Sequence, residues 1–280
     1  MSVVINTNYA SVLARKNLAE VQRQMDKSVE RLSSGKRINN AEDDAAGSAI
    51  SGRMESQIRG LTMGIRHAKD GQSLVGTSEG AMQELNKILQ RMRELAVQSA
   101  SGVASSSDRD YLNLEVTQLF SEINSISNNT KFNDQRILTG ATFTFYTDAD
   151  VAGTAITTVA ASASAQNLLV SVTSVDIGSV TSNTSTTGVQ AVITQIDAAL
   201  SVVDARRAAL GAVSNRFDHI IDNLQNVVMN TVQSQSRIVD ADFSVETTNL
   251  TRNTVLQQAA TSMLAQANAQ KNSILALIQQ

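Results

Sequence analysis

No proline occurs anywhere in the 280 residues. Proline inside a helix removes a hydrogen bond and kinks or breaks it, so this chain is free to build helices far longer than the usual three turns. The apolar pattern uses that freedom. Across most of the sequence apolar residues recur in alternate steps of three and four, the spacing of a helix face that packs on another helix. A first run uses Ala14, Leu18, Val21, Met25, Ser28 and Leu32. A second begins with Ile50, Met54, Ile58, Leu61, Ile65, Ala68 and Val75, and continues through Met82, Leu85, Leu89, Met92 and Ala96. It predicts one helix over about residues 42–100. The stretch SGVASSSDRD then breaks the pattern, and Ser107 or Asp108 is a suitable N-cap for a third helix. That helix carries Leu112, Val116, Leu119, Ile123 and Ile126, and stops at SNNTKFND.

The middle differs. Residues 141–188 hold 18 serines and threonines, with alternating stretches TFTFYT and LLVSVTSVDI that read as short strands. No lysine or arginine lies between Arg136 and Arg206. Helical spacing returns through Val189, Ile193, Ile196, Leu200, Val203, Arg207, Leu210, Ser214, Phe217, Ile221, Leu224 and Val228. After SRIVDADF a last run uses Leu256, Ala260, Met263, Ala267, Ile274 and Leu277. The expected fold class is mainly α, with long antiparallel coiled-coil helices from both chain ends and a small β-rich middle segment. Pairing of the two helical halves brings both termini to one end. Aromatic residues make up 3 % of the chain and tryptophan is absent, which suits helices packed side by side better than a compact aromatic core.

Glycine is placed oddly. Seven of the 14 glycines fall between Gly47 and Gly80, inside the second helix, where each costs about 1 kcal/mol against alanine. Gly60 with Gly64, and Gly76 with Gly80, lie one turn apart on a shared face. The apolar repeat runs on across them, so close approach of a neighbouring helix or subunit is preferred to a break in the helix.

The segment RLSSGKRINNAEDDAAGSAI, residues 31–50, has the look of a reactive loop and fails each test for one. A phosphate loop needs a glycine five residues before its GK and a hydroxyl after it, where this chain has Glu30 and Arg37. A calcium loop alternates its acids, whereas Glu42, Asp43 and Asp44 are adjacent. The stretch reads as a joint, with glycine ending one helix and acids starting the next at its positive end. His67 and His219 have no metal-ligand spacing, no nucleophile elbow occurs, and cysteine is absent. No metal, cofactor or catalytic residue is therefore assigned, and enzyme is a weak hypothesis. The net charge of -3 without a basic block disfavours nucleic acid. No apolar run approaches the ~20 residues that span a bilayer, and the N-terminus lacks a general secretory signal, so any export takes another route.

Four stretches closely resemble bacterial flagellin: SVERLSSGKRINNAEDDAAGSAISGRMESQIRGL, LQRMRELAVQSASG, LGAVSNRFDHIIDNL and SRIVDADFSVETTNLTRNTVLQQAATSMLAQAN. The resemblance covers residues 1–140 and 189–280. It implies a structural subunit that polymerises into the hollow helical filament used for swimming and leaves the cell through the flagellum's own type III channel. The terminal segments 1–40 and 240–280 would form an inner tube and be disordered in the monomer. Residues 41–140 and 189–239 would form the helical core, and 141–188 a short variable region outside. Implied partners are other copies, the flagellar cap and hook-associated proteins, an export chaperone at the C-terminal segment, and a host Toll-like receptor. The family's receptor motif matches Leu89 to Gln98, which makes Gln90, Arg91, Glu94 and Leu95 contact candidates, with Glu115 on the adjoining helix. Arg91 and Glu94 are also i, i+3 neighbours, able to form an ordinary helix-surface pair. The chain departs from the family at Leu114, where glutamine is usual, at Asp134, where glycine usually follows FN, and at its LALIQQ end, without the common terminal arginine.

Two other readings share the helical pattern. A coiled-coil signalling protein of the chemoreceptor type has similar heptads but normally carries a membrane segment. A hook–filament junction protein shares the terminal motifs.

Overall fold

The computed structural model describes residues 7–140, 142–147, 155–159 and 186–278. Five helices are among them: α1 Tyr9–Ser34, α2 Ala45–Ser99, α3 Ser106–Asn129, α4 Thr186–Val239 and α5 Phe243–Ile278. Four short strands lie between α3 and α4: β1 Lys131–Phe132, β2 Gln135–Arg136, β3 Thr142–Tyr146 and β4 Ala155–Val159. The stretch TFTFYT supplies β3, whereas LLVSVTSVDI lies outside the described residues. The chain divides at Gln57/Ile58 and Val228/Met229 into two compact units, one of them holding both chain ends.

The unit between those divisions has the apolar core. Its buried residues on α2 repeat every seven positions: Leu61, Ala68, Val75, Met82, Leu89 and Ala96 along one row, Ser78, Leu85, Met92 and Ser99 along the next. α4 repeats in the same way through Val189, Ile196, Val203, Leu210 and Phe217. α3 adds Val116 and Ile123, with Leu112, Leu119 and Ile126 packed against them. Ile137 and Leu138 close the core below the strands, and the Phe145 ring meets Phe217 edge-on at 5.8 Å. β3 and β4 pair antiparallel, from Thr142 opposite Val159 to Tyr146 opposite Ala155. β1 and β2 form a two-residue hairpin whose turn holds Asn133 and Asp134 at φ 50° and 61°. Such a turn needs left-handed backbone at both central residues.

α3 begins two to three residues earlier than a cap at Ser107 or Asp108 would place it. Its cap is Ser105, whose hydroxyl accepts from Asp108 N at 3.2 Å while the Asp108 carboxylate accepts from Ser105 N at 3.0 Å. Ser105 closes this reciprocal capping box with Asp108; Ser107 also stands three residues before an acid, Asp110, so the spacing alone does not choose between the two.

The unit holding both ends is built on an antiparallel pair. Gln22 accepts from Gln257 at 2.6 Å, Arg31 meets Glu246 at 2.9 Å, and Asn8 donates to the Ala267 carbonyl at 3.0 Å. α1 turns its expected face to the seam: Ala14, Leu18, Val21, Met25 and Leu32 are half-buried and Ser28 is buried. α5 does not. Leu256 and Met263 are 44 % and 61 % exposed, while Glu246, Asn253, Gln257, Ala260, Leu264 and Ala267 line the seam. The side chains of Ile274 and Leu277 lie outside the described residues.

Residues 35–44 form the joint that their composition suggests. Gly35 adopts φ 69° and ends α1 in a left-handed cap. Asp44 accepts from Gly47 N at 2.9 Å and so starts α2. A side chain at Gly47 would collide with Asp44 and Ile38, its Cβ only 2.5 Å and 2.7 Å from their nearest atoms. Asp43 accepts from the backbone of Asn39 and Asn40 and pairs with Lys27 at 2.6 Å. These contacts hold its carboxyl down at about 2, the Lys27 bond contributing most. The joint is tied to the α4–α5 break. Arg37 N donates to Val239 O, the Arg37 guanidinium donates to Ile238 O at 2.6 Å, and Ala241 N donates to Gly35 O. The last carbonyls of α4, which a helix end leaves without partners, are satisfied in this way.

Candidate functional surfaces

Among the described residues of the α1/α5 pair the fully buried positions are polar, and many large apolar side chains are exposed. Its buried residues are Ser11, Ser28, Glu246 and Asn253. Tyr9, Val12, Leu13, Val29, Phe243, Val245, Val255, Leu256 and Met263 are all exposed, Tyr9 and Phe243 at 77 % and 70 %. α5 shows why: its apolar residues are spread around the whole helix with almost no net hydrophobic side. Such a helix is expected to be covered on several faces, and α1 covers one. Even that seam is imperfect. Arg31 gives one nitrogen to Glu246, yet its buried Nε has no hydrogen-bond partner.

A second surface lies where α2 meets α3. Arg91 Nε donates to Glu115 at 3.0 Å and its Nη1 to Glu94 at 3.1 Å. The two carboxylates, Glu115 foremost, favour the charged guanidinium. All three side chains are accessible, at 49 %, 44 % and 68 % exposure. Gln90 is exposed as well and donates to Asn86 at 2.6 Å. Leu95 turns away from them into the core, at 1 % exposure. Exposed apolar residues lie nearby in sequence: Val97, Val103, Tyr111 and Leu114.

The glycines of α2 separate into two kinds. A Cβ on Gly64 would stand 2.7 Å from the Thr147 carbonyl oxygen, and one on Gly71 would stand 2.5 Å from the Phe217 ring. Gly76 and Gly80 face open space within the chain, and Gly60 is half-buried. Gly71 has no glycine one turn away; its spacing of seven from Gly64 and Ser78 is the signal that marks it. His67 Nδ1 lies 3.0 Å from the Tyr146 carbonyl, while His219 is exposed. Among the described residues no group of three or more His, Cys, Asp or Glu side chains is arranged to hold a metal, and no helix is long and apolar enough to cross a membrane.

Comparison with known proteins gives a consistent picture. The bacterial flagellin N-terminal helical region matches residues 5–142, and the bacterial flagellin C-terminal helical region matches residues 193–278. The chain is 40 % identical to a flagellin of Halalkalibacterium halodurans, over 99 % of this chain and 100 % of that protein. It is 36 % identical to Flagellin FlaB1 of Treponema pallidum over the same shares. Among solved structures it resembles a Vibrio parahaemolyticus protein assigned as a flagellar hook-associated protein, with TM-score 0.61 over 71 % of this chain and 100 % of that one. At 13 % identity that last likeness speaks for the fold alone.

Proposed function

The chain belongs to the bacterial flagellin family, as a structural subunit of the flagellar filament, and we propose that its terminal helices become fully ordered only when neighbouring copies cover them. The observation that carries this reading is the poorly covered α1/α5 pair, with only Ser11, Ser28, Glu246 and Asn253 fully buried among the described residues and a set of large apolar side chains exposed. Ordering a residue costs about 1–2 kcal/mol of backbone entropy, and a seam whose leucine, valine and methionine side chains are only half-buried returns little of it. Stacked copies would bury several faces of α5 at once. Segments 1–40 and 240–280 are then the inner tube, and 41–140 with 189–239 the surrounding layer. Residues 141–188 are the outward variable region, dispensable for polymerisation. Disorder of the termini before assembly also suits passage through the flagellar export channel, with a chaperone shielding the C-terminal segment until then. Cap and hook-associated proteins would meet the same terminal surfaces at the filament ends.

The test is circular dichroism with limited proteolysis, before and after polymerisation. Terminal segments cleaved in the monomer, with helix gained and protection acquired in filaments, are expected. Protease-resistant termini with no gain of helix would refute the reading. Electron microscopy of the same samples separates this subunit from a junction protein, which gives caps or short ends in place of long tubes.

A second role rests on the α2/α3 surface. Arg91, Glu94 and Glu115 form one accessible charged cluster flanked by Gln90, and this is the surface a host Toll-like receptor would contact on the monomer. Leu95 would support that cluster from the core. Arg91→Ala removes a planar fork of donors that no other side chain replaces. It should sharply reduce receptor activation while leaving the monomer fold intact, and an unchanged dose–response curve would sink the assignment.

A further inference from the structure

The apolar core of the central unit repeats so regularly that it cannot specify its own register. On α2 the buried rows step by seven through Leu61, Ala68, Val75, Met82, Leu89 and Ala96, and on α4 through Val189, Ile196, Val203, Leu210 and Phe217. Sliding one helix past the other by seven residues, about 10 Å, returns apolar rows to apolar rows. Size discriminates weakly. Phe217 fits against Gly71, and the positions seven residues to either side, Gly64 and Ser78, are small as well.

A polar row beside the core has the same period. Gln72, Glu79, Asn86 and Arg93 are spaced by seven along α2, and each reaches across to α4. Gln72 donates to Asp218 at 2.5 Å, Asn86 to Asp204 at 3.0 Å and Arg93 to Asp197 at 2.6 Å. Glu79 accepts two bonds from Arg207, at 3.0 Å and 2.8 Å. Asn86 is buried and is bonded on its other side by Gln90. A buried asparagine in a helical seam can specify register at some cost in stability. This row, unlike the apolar ones, changes chemistry at each step. Three of its four partners on α4, Asp197, Asp204 and Asp218, are acids in register with Arg93, Asn86 and Gln72. At the remaining step α4 has Gly211, and Arg207 one turn away supplies the cation for Glu79.

We propose that this ladder sets the register of α2 against α4, with Glu79 as the residue that rejects slipped pairings. A slip of seven in one direction places Glu79 opposite Asp204, and in the other opposite Asp218. Both set two carboxylates face to face, and the slip onto Asp218 also carries Glu79 away from Arg207. Exposed ion pairs add little to stability, but like charges forced together discriminate between pairings that are otherwise equal.

The absence of cysteine allows a direct measurement on the full chain. Cysteines placed at the exposed Gln83 and Gln225 carry spin labels well separated along the helix axis, so a slip changes their distance by about 10 Å. After refolding, the parent should show one distance. Glu79→Lys, which repels Arg207 and suits either aspartate, should add a second distance displaced by about 10 Å. Glu79→Gln, which keeps the side-chain shape, should show the same second distance at lower population. Adding Arg207→Glu to Glu79→Lys should restore the single native distance. The native distance alone in both single variants would overturn the proposal, as would persistence of the second distance in the double variant.

Discussion

Replacing Gly76 and Gly80 with alanine separates what the glycines of α2 do for the monomer from what they do for the filament. Alanine exceeds glycine in a helix interior by about 1 kcal/mol, and a Cβ at either position meets nothing within 4 Å. The two changes together should stabilise the monomer by about 2 kcal/mol, which at 2–4 °C per kcal/mol is a rise of roughly 4–8 °C in Tm. Gly71→Ala is the control within the same helix. Its Cβ would lie 2.5 Å from Cζ of Phe217, a ring with no exposure and held by Phe145, so it cannot swing aside freely. Overpacking of that kind costs about 1–3 kcal/mol, which cancels or outweighs the helix gain. Thermal melting of the monomer and the critical concentration for polymerisation are the two assays. If Gly76 and Gly80 are glycines because another copy approaches there, the double variant melts higher yet polymerises poorly. A double variant that melts higher and polymerises at an unchanged critical concentration refutes that reasoning. A Gly71→Ala chain as stable as the double variant refutes the packing argument.

Asp134→Gly should stabilise the β1–β2 hairpin by up to about 1 kcal/mol, because φ 61° costs an L-residue what it does not cost glycine; chemical denaturation of the central unit reads it. The Asp43 carboxyl titrates at about 2 when folded against an ordinary 3.8, so its contribution is complete above about pH 4 and is lost as pH falls through about 2. Melting curves of the parent and of Asp43→Asn should therefore differ near pH 5 and converge toward pH 2. Ser105→Ala removes one half of the capping box and should cost about 1 kcal/mol, measured by thermal melting at neutral pH.

The central unit was legible because its pattern has one phase. α2 and α4 each place apolar residues on one stripe and polar ones elsewhere, so the apolar periodicity and the buried rows coincide from Leu61 to Ala96 and from Val189 to Phe217. α5 offers several phases. Leu256, Ala260, Met263 and Ala267 satisfy the three–four spacing, but so do Asn253, Gln257, Ala260, Leu264 and Ala267, and the second set faces α1. Polar pairing explains that outcome: Arg31 with Glu246 and Gln22 with Gln257 orient α5, and apolar spacing carries no information about them. The α2/α3 cluster was half legible. Arg91 and Glu94 are one turn apart and Glu115 was placed through the family motif, but the inward turn of Leu95 follows from a third row spaced by seven, Leu74, Ala81, Ile88 and Leu95, beside Met92 and Ala96. The joint was legible for a different reason, since glycine and clustered acids have few roles between two helices.

These differences bear on how each unit is stabilised. The central unit buries leucine, methionine, isoleucine and phenylalanine at or near zero exposure, so its folding draws on surface removed from water within one chain. The terminal pair buries serine, asparagine and glutamate fully, but only half-buries Leu18, Val21, Met25, Leu32 and Leu264 and leaves many of its other large apolar side chains exposed. Burial within the chain returns little there, and the unpartnered Arg31 Nε adds a small penalty. Covering the outer face by other copies supplies what is missing, and anything that binds only the ordered form stabilises that form in proportion to its concentration. On the reading proposed above, order in the central unit would be a property of the single chain, whereas order in α1 and α5 would depend on the density of copies around them. A subunit divided in this way would stay folded enough to persist alone and become rigid along its whole length only where a growing polymer receives it.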